Sequence, residues 1–120
     1  MTRPIVPGPA ENDSMNQQYQ SAGPLREAVD KLDGATVVEF GTGWCGYCRA
    51  AQPLIASAFA DHPNVRHLKI EDGSGRPLGR SYGIRLWPTL VFLRDGNETA
   101  RLVRPQNSAV IREALGRIDY

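Results

Sequence analysis

Apolar and polar positions alternate between two rhythms along this chain, and the change of rhythm predicts its elements. Leu25, Val29 and Leu32 recur at helical spacing behind Pro24, a residue suited to a first helical position, and Asp33-Gly34 ends that helix. From Ala35 to Phe40 the apolar character runs on without alternation, as in a strand covered on both faces. Glu39 is therefore expected to point into the interior beside Val37. A helix follows to about Asp61 with Pro53 inside it, where proline removes a backbone hydrogen bond. Val65 to Glu71 reads as a second strand, so strand, helix and strand form a right-handed crossover with a parallel pair. A polar loop leads to a short helix around Pro77 to Tyr82. Thr89 to Leu93 is another buried strand, and Asp95-Gly96 marks a tight hairpin to an antiparallel partner, Glu98 to Val103. Val110, Ile111, Ala114, Leu115 and Ile118 share one face of the last helix. The class is α/β.

Ahead of this pattern lie about twenty residues of Pro, Gly, Asn, Asp, Gln and Ser with little to bury, so residues 1–20 are expected to be a disordered tail and 21–120 one domain. Tyr19 is open to pairing with a sheet edge, and Met15 is open as an alternative start. Charge changes the picture little: 14 Lys plus Arg against 13 Asp plus Glu leave no basic field for nucleic acid or an anionic membrane. A monomer is expected. No apolar run approaches signal-peptide or membrane-span length, and two cysteines are too few for a disulfide framework. The expectation is a cytoplasmic protein, where a cysteine pair is catalytic or metal-binding.

Those two cysteines stand in Trp44-Cys45-Gly46-Tyr47-Cys48, between the buried strand and the long helix. At a helix start, backbone N–H groups and the helix dipole stabilise a thiolate at Cys45, the reactive form of the residue. Cys45, Cys48, His62 and His67 together come close to the spacing of a zinc finger. A finger has its own hairpin and short helix, however, and His62 should lie about 20 Å away along the helix at 1.5 Å per residue. No metal is expected.

Several features in order give the chain from about Pro24 onward a resemblance to the thioredoxin family. They are the Trp44-Cys45-Gly46-Tyr47-Cys48 motif, Pro53, Tyr82-Gly83-Ile84-Arg85, Pro88-Thr89 and the hairpin Gly96. The resemblance implies a thioredoxin fold, a central mixed β-sheet flanked by helices on both faces. It also implies a thiol–disulfide oxidoreductase with no cofactor beyond its own redox-active disulfide, acting on protein disulfides and drawing electrons from a thioredoxin reductase. Cys45 would attack the substrate disulfide and Cys48 would resolve the mixed disulfide. Glu39, replacing the family's buried aspartate, would be the general base for Cys48, with a pKa raised by burial and opposed by His67 nearby. A cis Pro88 would face the dithiol and leave the backbone of Trp87 free for an extended peptide, with Trp44, Trp87, Pro88 and Thr89 forming the substrate site.

The departures bear on chemistry. Tyr47 replaces the proline between the cysteines, which implies a less reducing dithiol. Gly41 stands where the family has tryptophan, Trp87 where it has a smaller aliphatic, and Arg104 where glycine lines the groove. The altered groove also admits a reading from another class, a peptide-binding or chaperone module without turnover.

Overall fold

The strand β1 (Ala35–Gly41) is buried at all seven positions and holds the inside of the sheet, which explains its unbroken apolar run. It pairs in parallel with β2 (Arg66–Glu71) and antiparallel with β3 (Thr89–Arg94), and β3 pairs antiparallel with β4 (Asn97–Val103). The order is β2-β1-β3-β4, a mixed sheet as expected. This computed structural model describes residues 18–120.

Because successive side chains on a strand point to opposite faces, β1 feeds two cores. Val37 joins Leu90 and Phe92 against Ile55 and Phe59 of α2 (Gly46–Phe59) and Ile111 and Leu115 of α4 (Ser108–Ile118). Val38 and Phe40 join Val91 and Leu93 against Val29 of α1 (Arg26–Asp30) and Leu78 of α3 (Pro77–Ser81). Glu39, two residues on from Val37, shares the α2 face. The β3–β4 hairpin turns on Asp95 and Gly96, with φ of 52° and 82°, the left-handed pair that a two-residue hairpin needs. Gly96 is also required for space: a Cβ there would lie 1.9 Å from the carbonyl oxygen of Asp30.

Three expectations need correction. The first helix begins at Arg26, not Pro24, and Leu25 is its cap residue and 68% exposed rather than on the buried face. The long helix ends at Phe59, before Asp61. The tail expected over residues 1–20 lies mostly outside the described residues, but its end belongs to the fold. Gln20 forms a parallel bridge to Ile70, since its N–H donates to Lys69 O and its carbonyl accepts from Glu71 N, both at 2.8 Å. Among the described residues no helix is long and apolar enough to cross a membrane.

Candidate active site

Cys45 is the N-cap residue of α2 in extended conformation, with φ −79° and ψ 125°, so its side chain stands over the free N–H groups of the first turn. Cys48 lies one turn in. Both are free thiols. Cys45 keeps 8% of its surface against 1% for Cys48, so both are shielded and they differ in depth.

The two environments push the thiols apart. Burial alone would raise Cys45, but the backbone N–H groups of Cys48 and Tyr47, the Cys48 thiol and the Arg104 cation outweigh it and lower its pKa. For Cys48 burial wins. Its thiol is pushed up to about 11, although the backbone N–H of Thr42 and the hydroxyl of Tyr19 oppose the rise. Of the two thiols, Cys45 is therefore the one displaced towards the reactive thiolate form.

On the Cys45 side the chain builds a rim of aromatics and one cation. The Trp87–Pro88 bond is cis. Trp44, 72% exposed, meets Trp87 edge-on at 5.7 Å, and the Trp87 indole N–H donates to Asp72 Oδ2 at 2.9 Å. Arg104 reaches across this rim. Its guanidinium carbon sits 3.7 Å above the Tyr47 ring, and its Nε donates to the Trp87 carbonyl at 2.7 Å. The Trp87 carbonyl, expected to be free for a peptide, is thus already engaged. Arg104 has φ of 51°, a conformation that favours glycine. Thr89, expected at the substrate site, turns its side chain inward. It is 2% exposed and its hydroxyl donates to Leu86 O at 2.6 Å, bracing the loop ahead of Pro88.

Behind Cys48 lies a buried polar network. Glu39 is fully buried; its Oε1 pairs with His67 Nε2 at 2.8 Å, and its Oε2 accepts from Gln52 Nε2 at 2.9 Å and from the Tyr19 hydroxyl. Gln52 also donates to Cys48 O at 2.9 Å and accepts from Lys69 Nζ at 2.7 Å. This reverses the pKa expected for Glu39. Burial does push the carboxyl up, but hydrogen bonding and charge from His67, the Lys69 ammonium and the Tyr19 hydroxyl pull it further down, to about 2. Lys69 itself is lowered by burial, against the pull of Glu39 and Cys48.

A carboxylate near 2 is a poor acceptor for the proton of a thiol near 11.

Sequence reasoning missed three members of the site. Gln52 carried a signal, since it falls four residues after Cys48 on the same helix face. Arg104 was noted only as a departure. Tyr19 gave no signal beyond being the lone aromatic in a polar stretch. The histidines of the finger-like spacing go to separate partners, His67 to Glu39 and His62 Nδ1 to Asp119 Oδ2 at 2.6 Å. Beside Cys48 a cleft of about 440 Å³ is lined by Tyr19, Trp44, Arg49, Gln52 and Lys69 among others.

A family model described as Thioredoxin matches residues 17–117. Among solved structures, thioredoxin 2 from Pseudomonas aeruginosa PAO1 in its reduced form is 54% identical, covering 86% of this chain and 99% of that one, with a TM-score of 0.77. Thioredoxin from Chlamydia pneumoniae is 36% identical over 70 residues, 58% of this chain and 69% of that protein. Thioredoxin H-type 1 from Nicotiana tabacum is 34% identical over 67 residues, and the match spans 56% of this chain and 53% of that protein's length.

Proposed function

Since the chain belongs to the thioredoxin family, we propose that it is a thiol–disulfide oxidoreductase whose Cys45–Cys48 dithiol reduces disulfides of other proteins. The observation that carries this reading is the opposite displacement of two neighbouring thiols, Cys45 lowered and Cys48 raised to about 11. Cys45 as thiolate attacks one sulfur of the substrate disulfide, and the other leaves as thiolate. Cys48 then loses its proton and attacks Cys45, which releases the second substrate sulfur and leaves Cys45 and Cys48 joined. Two electrons pass from the dithiol to the substrate. A thioredoxin reductase is the proposed electron donor that reopens the Cys45–Cys48 bond. The chain's two cysteines support a reducing, cytoplasmic setting.

Within this scheme Glu39 acts as an ionised anchor that holds His67, Gln52 and Tyr19, in place of the base role expected from burial alone. The exposed Trp44 and the indole of Trp87 support contact with a peptide next to Pro88.

Reduction of insulin with NADPH and thioredoxin reductase tests the reading. Turnover is expected for the parent protein and none for Cys45→Ser. Suppression of aggregation that survives the substitution, with no turnover in the parent, would select the binding module instead.

A further inference from the structure

Tyr19 reaches the dithiol from outside the motif, from the segment that Gln20 ties to β2. Its ring lies 4.8 Å from the Lys69 ammonium. Its hydroxyl donates to Glu39, with the Cys48 sulfur near enough for each group to shift the other's titration. The two groups meet above Gly41, where a Cβ would lie 2.5 Å from Cys48 Sγ and 2.8 Å from the Tyr19 oxygen. The hydroxyl is thus held between a permanent anion and the sulfur that must become one.

We propose that Tyr19 is a catalytic residue of the resolving step, its hydroxyl turning from Glu39 to donate to the Cys48 thiolate as that thiolate forms. Cys48 gives its proton to water in the adjoining cleft, which Cys48 and Tyr19 both line. The sulfur's electron pair makes the bond to Cys45 Sγ, the Cys45–substrate bond breaks, and the substrate sulfur departs with that pair and takes a proton from solvent. Glu39 is not stranded when Tyr19 turns away, because Gln52 at 2.9 Å and His67 at 2.8 Å remain on its oxygens. A hydrogen bond to a charged group is worth more than one to a neutral group, so the hydroxyl favours the thiolate over the thiol.

The inference rests on the redox reading above, and its test separates the two. Reduced protein mixed with the aromatic disulfide dithiobis(nitrobenzoate) releases one chromophore when Cys45 attacks and a second when Cys48 resolves. Tyr19→Phe keeps the ring and removes the hydroxyl. The second release is expected to slow about tenfold while the first changes by less than about twofold, as befits loss of one charge-assisted hydrogen bond. Its pH midpoint should also move upward. The groups facing Tyr19 are Glu39, Lys69 and Cys48, with His67 beyond Glu39 and Cys45 beyond Cys48. The unchanged first release certifies the fold of the variant. A second release equal to the parent's across the pH range, or both releases slowed alike, overturns the proposal alone. A parent protein with no second release overturns the redox reading and the proposal with it.

Discussion

The two flanks of the dithiol use the same ingredients, a cation, an aromatic ring and hydrogen-bond donors, to opposite ends. On the Cys45 flank Arg104 lies over Tyr47, a ring that is 60% exposed, and its charge adds to the backbone N–H groups and the Cys48 thiol in lowering the shielded Cys45. On the Cys48 flank Lys69 lies over Tyr19, but both serve a carboxylate with no exposed surface, and the thiol there stays protonated. What differs is the presence of Glu39. An interior anion takes up the nearby positive charge and the Tyr19 donor, so Cys48 receives only what Glu39 releases. Depth and a competing carboxylate, more than the identity of the neighbours, push the two thiols in opposite directions.

The comparison breaks hardest at Glu39→Gln. The folded pKa of about 2 lies below the 4.5 of an unperturbed glutamate, so the carboxylate stabilises the fold above pH 4.5, and that contribution is lost as pH falls through the folded value. The substitution is expected to destabilise by about 2 to 3 kcal/mol at pH 7 and by progressively less from pH 4.5 downward. Urea unfolding at pH 7 and pH 3 measures it. A variant as stable as the parent at pH 7 would mean that burial governs Glu39 after all.

A smaller effect is expected from Arg104→Gly, which removes the cation from the Cys45 flank and frees the Trp87 carbonyl. Glycine suits the φ of 51°, so relief of about 1 kcal/mol of backbone strain offsets the lost hydrogen bond, and stability should change little. Cys45 should become less acidic, and its alkylation by iodoacetamide near pH 7 should slow about threefold, with the difference shrinking somewhat as salt screens the half-buried charge. Equal rates for both proteins would show that helix N–H groups alone set the Cys45 thiolate. The smallest change is expected for Trp44→Ala. At 72% exposure it should alter stability by less than about 0.5 kcal/mol while raising KM for a peptide disulfide about twofold, and an unchanged KM would remove Trp44 from the substrate rim.

The strands, the parallel and hairpin pairings and the place of the dithiol were legible because each rests on short-range rhythm: Val37 and Val38 announce two cores, and Cys45 announces a helix start. The sign of the Glu39 shift was not legible. It depends on His67 and Lys69 from β2 and Tyr19 from the segment before α1, with Gln52 of α2 donating to the same carboxylate, and no local pattern encodes how three separate segments meet at one group. Arg104 was visible as a departure from glycine, but its contacts were not. Its residue type gives no hint of a left-handed backbone, and that turn is what aims the guanidinium at Trp87.

Gly41 carries one more consequence. Its missing side chain leaves a single hollow into which the Tyr19 hydroxyl and the Cys48 sulfur both project. A bulky residue at position 41 and an aromatic at position 19 are therefore rival tenants of one volume, and a sequence can house either but not both. Exchanging glycine for a large side chain would evict the segment around Tyr19 from the sheet edge, so these two positions, 22 apart along the chain, are expected to vary as one unit when the dithiol is redesigned.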